Sequence, residues 1–128
     1  MILLTRVVLL SAVALISVSC ADTIPREMTL TDPNNRYIEV ETDNDLQSMQ
    51  RVCAENMLNA SPASKAINIT PRVVSDLEEK VIEVDAVLVG IGYFNQDLPV
   101  IYLCKFKNEK MTFSTWVRGL GKKPAKEK

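Results

Sequence analysis

Three cysteines and a complete absence of histidine set the chemistry open to this chain. Without histidine the usual general base is missing, and so are the commonest metal ligand and every Ser-His or Cys-His nucleophile pair. Gly90-Ile91-Gly92 has no third glycine, no lysine and no helix behind it, so it is not a phosphate loop. The acidic run Asp76, Glu78, Glu79, Glu83 and Asp85 reads as a solvated turn rather than a glycosidase carboxylate pair. It also lacks the alternating oxygen ligands around a sharp glycine turn that a calcium loop needs. The sequence therefore predicts no catalytic residue, no cofactor and no metal, and the chemistry that remains is that of Cys20, Cys53 and Cys104.

Those cysteines are expected in an oxidising compartment, because residues 1–20 read as a signal peptide. Arg6 gives a short basic start, and Val7 to Val18 is an apolar run too short to span a bilayer comfortably. Small residues follow at Ser17-Val18-Ser19-Cys20-Ala21. Val18 and Ser19 suit the two positions before an acylated cysteine, while Ser17 stands where such signals usually carry leucine. Ordinary cleavage after Ser19 or Ala21 is the alternative. An odd thiol is reactive in an oxidising compartment; acylation of Cys20, with palmitate among its fatty acyl chains, disposes of it, as does cleavage after Ala21, so what is excluded is a free Cys20. The sequence-based expectation is an exported lipoprotein, facing the periplasm from the outer membrane, or a periplasmic or secreted protein if Cys20 is removed. The remaining pair, Cys53 and Cys104, is expected to form a disulfide.

The elements that must bring the pair together are a helix and a sheet. From Asp43 to Ala60, residues Leu46, Met49, Cys53, Met57 and Ala60 recur at helical spacing on one face, with Thr42 or Asp43 as the cap and Pro62 as the stop. From Val81 the pattern changes to a period of two. Ile82, Val84, Ala86 and Leu88 form one apolar set, continued by Val100, Tyr102, Cys104 and Phe106. Lys107-Asn108-Glu109-Lys110 reads as a two-residue hairpin, which opposes Phe106 to Met111, Cys104 to Phe113 and Tyr102 to Thr115. Ala66 to Val74 is a further strand that Pro71 consigns to an edge or a bulge, with a short helix from Pro71 to Lys80 as the other reading. The fold class is α+β: one amphipathic helix on a three- to four-stranded antiparallel meander. Domain boundaries fall at 1–20 for the signal peptide, 21–42 for a polar tether, 43–118 for the α+β domain and 119–128 for a basic disordered tail.

With 15 basic and 16 acidic residues, the chain carries no field that suggests nucleic acid. The second face of the sheet points elsewhere. Glu83 and Asp85 begin a solvated face, but Val89, Ile91, Ile101, Leu103 and Trp116 are apolar, with Ile101 expected opposite Trp116 and Val89 beside Leu103. An apolar patch there calls for a cover: the segment around Tyr37, a second copy, or another envelope protein. These five residues are the candidate interface, with Trp116 as its anchor. The expected function is a non-enzymatic interaction or structural module. The alternative is a secreted inhibitor or small-ligand binder at Gly90 and Gly92 or the loop from Asn95 to Pro99. Lysines 122, 123, 126 and 128 could touch anionic headgroups, or merely solubilise the tail. The acceptor sequons at Asn59 and Asn68 count only in a eukaryotic secretory pathway, and read here as chance matches.

Overall fold

The computed structural model describes residues 24–120 and 126–127. One helix, α1 (Leu46–Asn59), packs on an antiparallel sheet. The sheet's long strands form a meander of three hairpins: β3 (Lys65–Asp76), β4 (Lys80–Ile91), β5 (Gln96–Lys107) and β6 (Lys110–Arg118). A fifth strand, β1 (Met28–Thr29), pairs with the start of β3, so the order is β1-β3-β4-β5-β6. This corrects the expected count of three to four. Two further short strands, β2 (Tyr37–Ile38) and β7 (Lys126–Glu127), pair in parallel.

The core lies between α1 and the even-numbered face of β4 and β5. Ile82, Val84, Ala86, Leu88, Val100, Tyr102, Cys104 and Phe106 are all buried there, as the alternation requires. The helix supplies Met49, Cys53 and Met57, with Val52, Ala54 and Leu58 widening the buried stripe beyond the expected one. Its cap is Asp45, not Thr42 or Asp43: the Asp45 carboxylate accepts from the Ser48 N–H at 2.7 Å, and the helix starts at Leu46.

Residues 24–42 are not a tether. Ile38 is buried, and Ile24, Met28, Leu30 and Val40 pack against the core. Two side chains hold this segment to the helix. Asn56, itself buried, accepts from the Glu39 N–H at 2.8 Å and donates to the Glu39 carbonyl at 2.9 Å, imitating a neighbouring strand. Arg36 donates to the carbonyls of Leu58, Ser61 and Ala63, gathering the end of the helix and the turn after it. The supposed tail is also partly ordered into the fold: Leu120 packs against the core, and β7 lies beside β2.

β3 runs straight through Pro71, which excludes a helix there. Beyond β1 this strand is a sheet edge, where a missing N–H costs least. The β5–β6 hairpin forms as expected, with Asn108 and Glu109 both at positive φ and Phe106 opposite Met111. The register then departs from expectation. A bulge at Thr112 places Phe113 opposite Lys105, Ser114 opposite Cys104 and Trp116 opposite Tyr102. The reason lies in Tyr102. Its buried hydroxyl needs a partner, and the shifted register supplies Ser114 Oγ at 2.9 Å. A Phe113 in that position would have supplied none.

Candidate interaction surface

The structure joins Cys53 to Cys104, with sulfurs 2.18 Å apart and Cα atoms 5.9 Å apart. Both are wholly buried, one on the helix stripe and one on the core face of β5, so the bond fixes the helix to the sheet and offers no accessible redox chemistry. Cys20 lies outside the described residues.

The candidate interface divides. Val89, Ile101 and Leu103 lie half-buried on the sheet face away from the helix, and no other described element packs over them. Their neighbours differ from those expected. Leu103 lies between Glu83 and Thr115, and Ile101 between Asp85 and Arg118. Ile91 and Trp116 leave the set, because both pack against the core cluster on the helix side. Two bulges turn them over. Gly90, at φ +71°, breaks the ladder between Leu88 and Ile91. Thr112 brings Trp116 against Tyr102, with ring centroids 4.7 Å apart. The segment around Tyr37 does not cover the outer face either: it runs on the helix side, and Val40 accepts from the Met111 N–H at 2.6 Å.

The outer face therefore has two halves. Toward the 77–79 turn it is mixed, with Arg72 paired to Glu83 and Lys105 Nζ 5.4 Å from the centre of the Phe113 ring. Toward the other end it is apolar, with Ile67 opposite Val87 and Val87 opposite Pro99. That apolar half continues into the β4–β5 turn, where two rings stand in solvent: Tyr93 is 95% exposed and Phe94 78%. They pack edge to face on each other, with centroids 5.2 Å apart. The turn beneath is well defined. The Asn95 N–H donates to the Gly92 carbonyl at 3.1 Å, and the Gly90 N–H donates to the Asp97 carboxylate at 3.4 Å. The candidate residues omit these rings because Tyr93 reads as the last residue of the strand from Val81 and Phe94 as the step into the loop at Asn95. The signal available was charge: from Ala86 to Cys104 the only charged residue is Asp97.

The opposite end of the molecule carries a polar cleft of about 310 Å³, bordered by Asn44, Met49, Glu78, Lys80, Phe106, Asn108 and Glu109. Among the described residues no group of three or more Cys, Asp or Glu is arranged to hold a metal, and no helix is long and apolar enough to cross a membrane. The sequon at Asn59 is engaged structurally: its carboxamide accepts from the Tyr37 N–H and donates to the Glu55 carbonyl, and Ser61 is buried. Comparison with protein-family models, curated proteins and solved structures finds no match to the chain.

Proposed function

We propose that the chain is an exported envelope protein, lipid-anchored at Cys20 on the periplasmic side of the outer membrane, that works as a non-enzymatic interaction module. The proposed binding surface is the outer sheet face around Val89, Ile101 and Leu103. The observation that carries this reading is the row of apolar residues along that face, Val87, Val89, Ile101 and Leu103, which no described element covers. Exposed apolar patches on a folded domain mark docking surfaces. The signal-like residues 1–20 and the disulfide pair fit export, and a chain without histidine fits a role other than acid–base catalysis.

The test is a pair of single variants, Leu103→Asp and Ile101→Asp, each checked for an intact fold by thermal unfolding. Sedimentation measures self-association and in-cell crosslinking measures envelope partners. Association weakened about tenfold or more supports the interface, since a desolvated anchor residue is worth that much. Unchanged sedimentation together with unchanged crosslinks overturns it. The alternative of an inhibitor or ligand binder at Gly90, Gly92 and the Asn95 to Pro99 loop draws support from the exposed rings of that turn. A convex turn favours insertion into something else over enclosure of a small molecule.

A further inference from the structure

We infer that the β4–β5 turn is a membrane-interface anchor, whose Tyr93 and Phe94 rings insert among the headgroups and upper acyl chains of an anionic bilayer. This inference does not depend on a protein partner for the outer face, nor on acylation of Cys20. The first observation is exposure. Two aromatic rings at 95% and 78% exposure touch chiefly each other, on a turn held by backbone hydrogen bonds. They are presented in a fixed geometry, so burying them requires little further ordering of the loop. The second is the absence of charge. A hairpin of 19 residues with a single carboxylate, in a chain that is 24% charged overall, brings only that one ion toward the interface. That carboxylate, Asp97, is turned back onto the Gly90 N–H.

The third observation is charge complementarity behind the rings. Thr29 pairs with Lys65, and Ala66 opposes Leu88, so Lys65 flanks the hairpin at the level of Val89. On the other side Arg118 opposes Ile101, about 23 Å back from the tip and beyond headgroup reach, so Lys65 is the basic residue at that depth. Both basic residues are exposed. Val89 lies about 13 Å back from the tip at a strand's rise per residue, so a lysine beside it can reach phosphates while the rings sit below them. Tyrosine suits this depth because its ring is apolar and its hydroxyl stays hydrated. A protein pocket would also accept two rings, but it would not call for a lysine set at phosphate depth behind them.

The experiment uses the exported chain with its natural N-terminus, carrying Phe94→Trp in a Trp116→Phe background so that one indole reports on the tip. Vesicles are phosphatidylethanolamine with one quarter phosphatidylglycerol, with and without bromine on the upper acyl carbons. The expected result is quenching of the tip indole by brominated lipid. Tyr93→Ser should lower vesicle partitioning about tenfold in protein whose Cys20 carries no lipid. Lys65→Gln should weaken binding to anionic vesicles but not to neutral phosphatidylcholine. Vesicle-bound protein whose tip indole stays unquenched overturns the inference, as does failure to bind vesicles. A tip that becomes shielded only when envelope protein is added assigns it to a protein partner and likewise overturns the inference. None of these outcomes bears on Leu103, so the outer-face interface stands or falls separately.

Discussion

Single side chains hold this fold together at points that hydropathy alone does not mark. Arg36 gathers the carbonyls of Leu58, Ser61 and Ala63, and its Nε donates to the Pro33 carbonyl at 2.8 Å. Arg36→Met keeps the stem and removes these donors, which should cost about 1.5–3 kcal/mol, the range for hydrogen bonds to a charged group; chemical denaturation measures it. Tyr102 is a second such point. Burial pushes its pKa above the usual value near 10, and the hydrogen bond with Ser114 opposes that push only in part. The folded state therefore holds the phenol proton more tightly than the unfolded state does. The associated stability is fully present below pH 10 and is lost as pH climbs through the raised folded value. Alkaline unfolding of the wild type should accordingly be steeper than that of Tyr102→Phe above pH 10. Parallel curves for the two proteins would contradict the assignment.

At the scale of elements, the disulfide ties the middle of α1 to the core face of β5 across 51 residues. Closing a loop of that size is worth about 4 kcal/mol in the chain-entropy account. Cys53→Ser and Cys104→Ser should each lose about that amount, and the double variant little more than either alone, because the singles already remove the same bond. Additive losses would show that the two cysteines act separately. This pairing was legible in the sequence because two periodicities converge on it: 3.6 along the helix places Cys53 on the core stripe, and 2.0 along β5 places Cys104 on the core face. The register beyond Phe106 was not legible. A bulge adds one residue to one strand and reverses the side chains after it, here as far as the second irregularity at Val117, and nothing in the sequence around Thr112 announces it. Trp116, the residue chosen as outer-face anchor, was misplaced for that reason alone. The same holds for Ile91 beyond the Gly90 bulge. β1 escaped notice because a two-residue strand has no period to read.

At the scale of the molecule, the sheet's ends differ. One carries polar turns and the cleft, and the other carries the aromatic tip, with the apolar outer face leading to it. The proposed lipid and the proposed tip together constrain orientation. The Ile69 N–H donates to the Arg26 carbonyl at 3.0 Å, which places Arg26 beside the level where Thr70 opposes Asp85. From there the tip lies about 26 Å further along β4, while the chain from Cys20 to Arg26 reaches about 20 Å at most. With both anchored in one leaflet, the strands must incline by about 40° or more from the membrane normal. Polarised infrared dichroism of the amide I band on oriented bilayers should show that inclination, and upright strands would exclude simultaneous anchoring. The proposal as a whole rests on export and retention through Cys20. The most direct measurement is the intact mass of the protein purified from its own cells. The expected mass is that of a chain beginning at an acylated Cys20, less two hydrogens for the Cys53–Cys104 bond. A chain beginning at Asp22 would contradict the anchor, and one retaining residues 1–19 with reduced cysteines would contradict export itself.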